Sequence, residues 1–393
     1  MEPRSIEHVD VHGKRVFVRI DANVPLDGDR ITDDTRLRAA LPTIQLLLDG
    51  GARVILASHL GRPKGKPTPE YRMAPVAAAL SELAGREIPA LDEITGDAVE
   101  QRVASLAPGS ALMLENLRFD PGEEANDADL AKQLSRLADL YVNDAFGAAH
   151  RAHASTVGVP ALLPAYAGLL LRKEVASLST LLAAPERPFV AIVGGAKVSD
   201  KLTVIGGLLQ RVDTLLIGGG MANTFLLADG YEIGSSLAEP DQVEEARRVM
   251  RAAAERGVAV VLPSDAVIAR SLEDPSGTIV STDAVPPTMA IYDIGPETIA
   301  RFGDEIGEAK TVFWNGPMGV FERAAFSTGT RGIALAVAKA DGYSVVGGGD
   351  SVAAIEQMGV ASAIDHISTG GGASLEFLEG ETLPGIAAIP EAE

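Results

Sequence analysis

Lys197 and Lys201 stand four residues apart in FVAIVGGAKVSDK, just after an apolar run that ends in Gly194-Gly195. The stretch reads as a strand, a glycine turn and a helix capped by Ser199 or Asp200, with Leu202, Ile205, Leu208 and Leu209 on its apolar face. Cations at a helix start oppose the macrodipole, and a negatively charged ligand removes the conflict. Glycine clusters also follow other apolar runs, at 218–220 (IGGGM), 347–349 (VGGGDS) and 370–372 (STGGGAS). Glycine lets a ligand approach the backbone, and a following helix aims free N–H groups at phosphate. Asp350 falls where the helix after VVGGG begins. A carboxylate there is either an ordinary N-cap or, beside phosphates, a ligand of an intervening Mg²⁺. Taken together, the glycine clusters point to a Mg-nucleotide. The sequence contains neither GxxxxGK[ST] nor GxGxxG, which excludes a P-loop enzyme and an ordinary dinucleotide binder.

The first half carries a different chemistry. Its apolar runs lead into Asp21 and Asn23 (RIDANVP), His59 and Arg62 (SHLGRPKGK), Arg118 (ENLRF), and Asp144, His150 and Arg151 (NDAFGAAHRAHAS), while Arg36 follows a loop just before a helix. A single arginine of this kind is usually a surface ion pair. When each of several strands delivers such a group to one sheet edge, the result is a pocket for a small, multiply charged anion, because guanidinium forks match carboxylate and phosphate oxygens. One half would hold this anion and the other a Mg-nucleotide. Phosphoryl transfer is then the natural reaction, since its catalysis is mostly positioning and charge neutralisation.

These groups need a scaffold of strands and helices. Short β-branched runs at 16–20, 54–57, 111–114, 140–142, 189–193, 214–217, 259–262, 311–313 and 344–346 alternate with helical stretches such as 37–48, 74–83 and 244–256. Such alternation implies parallel sheets with helices on both faces, and ligands beyond the carboxyl ends of the strands. The 393 residues suit two domains. The boundary falls at one long helix, 168–182, so that residues 1–167 and 183–374 form the two domains and the helix acts as a hinge. Apolar content is 46% with 4% aromatics, which calls for cores of Ala, Val, Leu and Ile. There are no cysteines, so disulfides and thiolate metal sites are excluded. The net charge of −20 argues against a nucleic-acid partner. No apolar run is long enough to span a bilayer, and a cytoplasmic location is expected.

KRVFVRIDANVP, SHLGRPKG, LMLENLRF, YVNDAFGAAHRAHAS, GGAKVSDK, FWNGPMGVFE, VVGGGDS and STGGGASLEFLEG occur in that order, and the chain resembles the phosphoglycerate kinases over essentially its whole length. The resemblance implies an α/β fold of two doubly wound, Rossmann-like parallel-sheet domains, with residues 375–393 packing back on the first. It implies reversible in-line transfer of a phosphoryl group from 1,3-bisphosphoglycerate to ADP, giving 3-phosphoglycerate and ATP, with Mg²⁺ accompanying the nucleotide. By the same resemblance Asp21, Asn23, Arg36, His59, Arg62, Arg118 and Arg151 hold the phosphoglycerate, with His150 nearby. Arg36, Lys197 and the Gly371-Gly372 turn act on the group in transit. Lys201, Gly348, Gly349 and Ser351 contact nucleotide phosphate, Asp350 binds the metal, and Glu322 accepts from the ribose hydroxyls. Gly195, Gly219, Asn315 and Pro317 shape the nucleotide slot. A monomer is expected. Ile291 stands where the family commonly has glycine, and GGDS replaces the commoner GGDT.

Two other readings fit the same kind of sheet. A nicotinamide-dependent dehydrogenase would need the absent dinucleotide fingerprint. A non-catalytic two-lobed binding protein would have no use for both Lys197 and Lys201 beside a metal-type aspartate.

Overall fold

The computed structural model describes residues 2–392, so the outermost residues of the expected domain spans, Met1 and Glu393, lie outside the described residues. Contacts divide the chain into two units, one running to Ala176 and taking up the chain again from Thr382, the other Ser177–Glu381.

The first unit is built on a five-stranded parallel sheet in the order Ser110–Met113, Arg53–Ala57, Arg15–Ile20, Leu140–Asp144 and Ala165–Ala167. The order reverses between Arg15–Ile20 and Leu140–Asp144, which opens a crevice at their carboxyl ends. Alternate side chains of a strand point to opposite faces. Val16, Val18 and Ile20 accordingly pack with Leu37, Ile44, Val76 and Leu80. Phe17 and Ile55 pack with Val99, Leu130, Leu134 and Tyr141. Both faces are covered, so the strands read as continuous apolar runs. The last residues of the chain complete this unit. Gly385 N–H donates to Ala149 O at 2.8 Å, Asn143 Nδ2 donates to Gly385 O at 3.0 Å, and Pro3 bridges to Glu391. The return begins at Thr382 rather than at 375, because helix Gly372–Leu378 lies against helix Leu202–Leu208 of the second unit, with Gly207 touching Leu378 O.

The second unit carries a six-stranded parallel sheet in the order Ala259–Val261, Thr214–Ile217, Phe189–Val193, Thr311–Asn315, Tyr343–Gly347 and His366–Ile367. Its switch point lies between Phe189–Val193 and Thr311–Asn315. Val190, Ile192, Val312, Trp314 and Val346 pack under Phe302, Ile306, Ile333 and Ile355. An antiparallel sheet of Thr278–Ser281, Asp265–Ala269 and Ala290–Ile294 is added to the α/β core. The alternating pattern gave no hint of it.

The long helix is Leu169–Ala183. Asp144, at the end of its strand, is buried and accepts from Leu171 N–H at 3.1 Å, in the first turn of that helix. A Cβ on Gly168 would lie 2.2 Å from Asp144 Oδ1, so the cap fits only against glycine. Burial raises the Asp144 carboxyl to about 7 against the opposing pull of Thr43 and the amides of Leu171 and Leu170. A pKa raised on folding favours the folded state at low pH, and that advantage is lost as pH climbs from about 4 towards 7. Asn cannot titrate. The stability of Asp144→Asn relative to the parent should therefore rise between pH 4 and pH 8, by up to roughly 4 kcal/mol at 1.36 kcal/mol per pKa unit. Urea melts at several pH values will show it; a pH-independent difference would mean that Asp144 is not raised.

Candidate active site

In the first unit, the residues at the strand ends form one connected cluster. Arg36 Nη1 donates to Asp21 Oδ2 at 3.0 Å and to Asn23 O at 3.2 Å. Asn23 Oδ1 accepts from Gly61 N–H at 2.8 Å, and Gly61 O accepts from Arg118 Nη1 at 2.9 Å. This chain ties the loops after three different strands. Arg118 is buried and its Nε lies 3.2 Å from Glu124. Arg151 Nε donates to His150 Nε2 at 3.0 Å. Arg62 is exposed, in the loop directly after Gly61.

His59 sits at the centre and is almost fully buried. Its pKa is held well below the ordinary histidine value, first by burial and then by the positive charges of Arg19, Arg118, Arg151 and Arg36. Guanidinium can only donate. The 3.1 Å contact from Arg19 Nη2 therefore makes His59 Nδ1 the acceptor and leaves the proton on Nε2. His153 is lowered to about 4, by burial and then by Arg118, Arg19 and Arg151. A neutral imidazole among converging arginines is the environment expected where an anion supplies the missing charge.

Sequence reasoning missed the support behind this cluster. Arg19 is 1% exposed and donates from Nε to Ser155 Oγ at 2.9 Å. Ser155 Oγ in turn donates to the buried Glu123 at 2.5 Å. Burial raises the Glu123 carboxyl, while Arg19 and Ser155 pull it down. The available signal was an arginine inside the apolar strand VFVRI, since such a charge must find a buried partner.

In the second unit, the loops after Phe189–Val193, Thr214–Ile217 and Thr311–Asn315 interlock. Gly195 N–H donates to Pro317 O at 3.0 Å and Gly219 N–H to Met318 O at 3.1 Å. Gly219 has φ +67°, and a Cβ there would lie 2.7 Å from Gly195 N and Pro317 O. Close backbone packing, rather than a ligand, therefore demands this glycine. Gly195 is different: the space its Cβ would fill is open, and it is its φ of +107° that calls for glycine.

Together these loops wall a cleft of about 350 Å³, lined on its apolar side by Leu226, Leu237, Ile291 and Val320. Gly195, Gly219, Pro317, Glu322 and Asp350 also line it. Asp350 is exposed in the first turn of helix Gly349–Gln357. Lys201 is half-buried; burial lowers its pKa, opposed by the charges of Asp350 and Asp200. Lys197 is exposed in the loop before it.

Some expected residues stand elsewhere. Asn315 and Ser351 lie behind the wall of the cleft, where Asn315 Nδ2 donates to Gly347 O at 2.8 Å and Ser351 Oγ accepts from Gly316 N–H at 2.6 Å. The helix after Lys201 is Leu202–Leu208 with Lys201 itself at the N-cap position. Ser199 does not cap it, because its hydroxyl donates to Glu239 at 2.6 Å. Gly371 is the N-cap of helix Gly372–Leu378, with φ +53°.

Comparisons with known proteins show what the chain is similar to. The family model for phosphoglycerate kinase matches residues 6–381. The phosphoglycerate kinase of Moorella thermoacetica is 58% identical over 392 residues, covering all of both chains. That of a Roseiflexus species is 57% identical over 395 residues, again covering both chains fully. The solved structure of the Coxiella burnetii phosphoglycerate kinase superposes with a TM-score of 0.89 at 46% identity, over 98% of each chain. The Pyrococcus horikoshii enzyme gives 0.88 at 34% identity, also over 98% of each chain.

Proposed function

The chain belongs to the phosphoglycerate kinase family, and we propose a division of labour among its residues for the phosphoryl transfer this glycolytic kinase carries out. The first unit binds the three-carbon acid through Asp21, Asn23, Arg36, His59, Arg62, Arg118 and Arg151, with His150 orienting Arg151. The convergence of Arg19, Arg36, Arg118 and Arg151 on a neutral His59 carries this reading. It makes a site for an anion with charge at both ends, and the His59 Nε2 proton is free to donate to it.

The second unit binds the nucleotide. The cleft walled by Leu226, Leu237, Ile291 and Pro317 takes the base, and Glu322 accepts from the ribose hydroxyls. Lys201 and the amides of Gly348, Gly349 and Ser351 hold phosphate; the Ser351 hydroxyl is occupied by Gly316, so its backbone N–H makes the contact. Ile291 offers an apolar side chain to the base where the family commonly has glycine. An exposed carboxylate at a helix start, within electrostatic reach of Lys201, suits Mg²⁺ carried in by the nucleotide. Such an ion takes one or two protein carboxylates and otherwise water and phosphate oxygens. Asp350 is that ligand.

The acceptor of the ATP γ-phosphoryl is the carboxylate of 3-phosphoglycerate, and the transfer is direct and in line. Arg36, Lys197 and the Gly371-Gly372 amides neutralise the charge that spreads over the equatorial oxygens. No residue forms a covalent intermediate. The enzyme works as a cytoplasmic monomer. A coupled assay with 3-phosphoglycerate and Mg-ATP tests this. Turnover should require both substrates and should stop when Mg²⁺ is chelated. Oxidation of a substrate with NAD, without any response to Mg-ATP, would overturn it.

A further inference from the structure

We propose that Asp293 is a positioning residue for the nucleotide cleft: its carboxylate sets the seat of the 316–322 loop by docking Gly319 against the start of helix Thr328–Lys339. The proposal rests on the reading of that cleft as the nucleotide site. Asp293 belongs to strand Ala290–Ile294 and is 1% exposed. Its Oδ2 accepts from Gly329 N–H at 2.6 Å and its Oδ1 from Ile294 N–H at 3.0 Å. A Cβ built on Gly319 would lie 2.1 Å from Oδ1, and one built on Gly329 would lie equally close. The carboxylate is thus pressed between the loop and the helix, and both neighbours are residues without side chains.

The rest of the loop is fastened to the same two elements. Val320 N–H donates to Tyr292 O at 2.9 Å, next to Asp293 on its strand. Met318 N–H donates to Thr330 Oγ1 at 3.0 Å, next to Gly329 on its helix. Ser327, the N-cap, makes no side-chain cap bond, so Asp293 caps this helix from another element. Pro317, Val320 and Glu322 line the cleft from the loop so held. The same loop is bonded to the phosphate-binding segments, through Gly195 N–H to Pro317 O at 3.0 Å and Gly316 N–H to Ser351 Oγ at 2.6 Å, so its seat bears on the whole nucleotide cleft. Burial raises the Asp293 carboxyl to about 7, against the pull of the Gly329 and Ile294 amides. A buried carboxyl kept at such a cost fits a precise docking role.

The test compares Asp293→Asn, Gly319→Ala and Glu322→Ala with the parent. Asn keeps the shape but presents an NH₂ that cannot accept from one of the two amides. Asp293→Asn should raise KM for Mg-ATP about tenfold, with KM for 3-phosphoglycerate within twofold and kcat within threefold. Gly319→Ala reaches the same contact from the loop side and should do likewise; it carries the test if the folded fraction of Asp293→Asn, read by circular dichroism, is low. The Gly319→Ala effect should shrink in an Asp293→Gly background, where Oδ1, Cγ and Cβ, all within 2.7 Å of the added Cβ, are gone, and this coupling separates docking from general destabilisation. KM for Mg-ATP within twofold of the parent in both single variants, or a parallel rise in both KM values, would overturn the proposal. Glu322→Ala tests the underlying reading by itself: unchanged affinity in a Mg-ADP titration would sink the nucleotide assignment, whatever Asp293 does.

Discussion

Lys197→Ala should lower kcat by about 10²–10³-fold, the loss typical when one preorganised donor to transition-state charge is removed. Lys197 is exposed in the loop after strand Phe189–Val193, and among the described residues its charge acts weakly on Glu239. In the proposed division of labour, ground-state nucleotide binding rests on Lys201, the glycine amides and the cleft, so affinity for Mg-ADP should fall less than tenfold. A kcat lost with affinity largely kept marks an interaction made mainly in the transition state. Steady-state kinetics beside an ADP titration separates the two terms. Turnover within twofold of the parent would remove Lys197 from the mechanism.

Arg36→Ala should lower kcat/KM for 3-phosphoglycerate by about 10³-fold or more, equivalent to roughly 4 kcal/mol of transition-state binding. Two losses combine. The guanidinium no longer meets the transferring group, and Asp21 and Asn23 O lose the donor that places their loop. The Asp21 carboxylate, 9% exposed in its side chain, then faces the incoming anion without its counter-charge. KM for Mg-ATP should change little, because Arg36 belongs to the first unit. Stability should fall by about 1 kcal/mol or less, as the Arg36 side chain is 36% exposed and such pairs are weak. Equal rises in both KM values would place the effect in folding rather than in the site.

The parallel strands could be read from the sequence because both faces of each sheet are buried. Runs such as VFVRI and FVAIV are bounded by polar or glycine punctuation, and the observed strands begin or end within a residue or two of the expected ones. In the antiparallel sheet only Thr278–Ser281 lacks that signature, being largely exposed and reading like the loop around it, whereas Asp265–Ala269 and Ala290–Ile294 are mostly buried apolar runs that escaped notice. His366–Ile367 is too short to show any period. At the site, residue types revealed the arginines but not their support. Arg19 was hidden by the apolar strand that contains it, and Ser155 and Glu123 are joined to it only by tertiary approach. Glycines mislead for a similar reason. Gly219 looks like a phosphate glycine by motif, yet backbone packing explains it, and Gly195, with open space beside it, is called for by its φ of +107°. The fit of Asp293 between Gly319 and Gly329 depends on three segments meeting in space, and local pattern carries no trace of that.

The first unit is discontinuous in the chain. Thr382 onward supplies the partners of Ala149, Asn143 and Pro3, although all of Ser177–Glu381 intervenes. A polypeptide leaves the ribosome amino end first. During translation, then, the arginine-bearing lobe waits for its final piece until its neighbour has been made in full. The unit that carries the arginine cluster gains the bonds between Gly385 and both Asn143 and Ala149 only once residues 177–381 have been made.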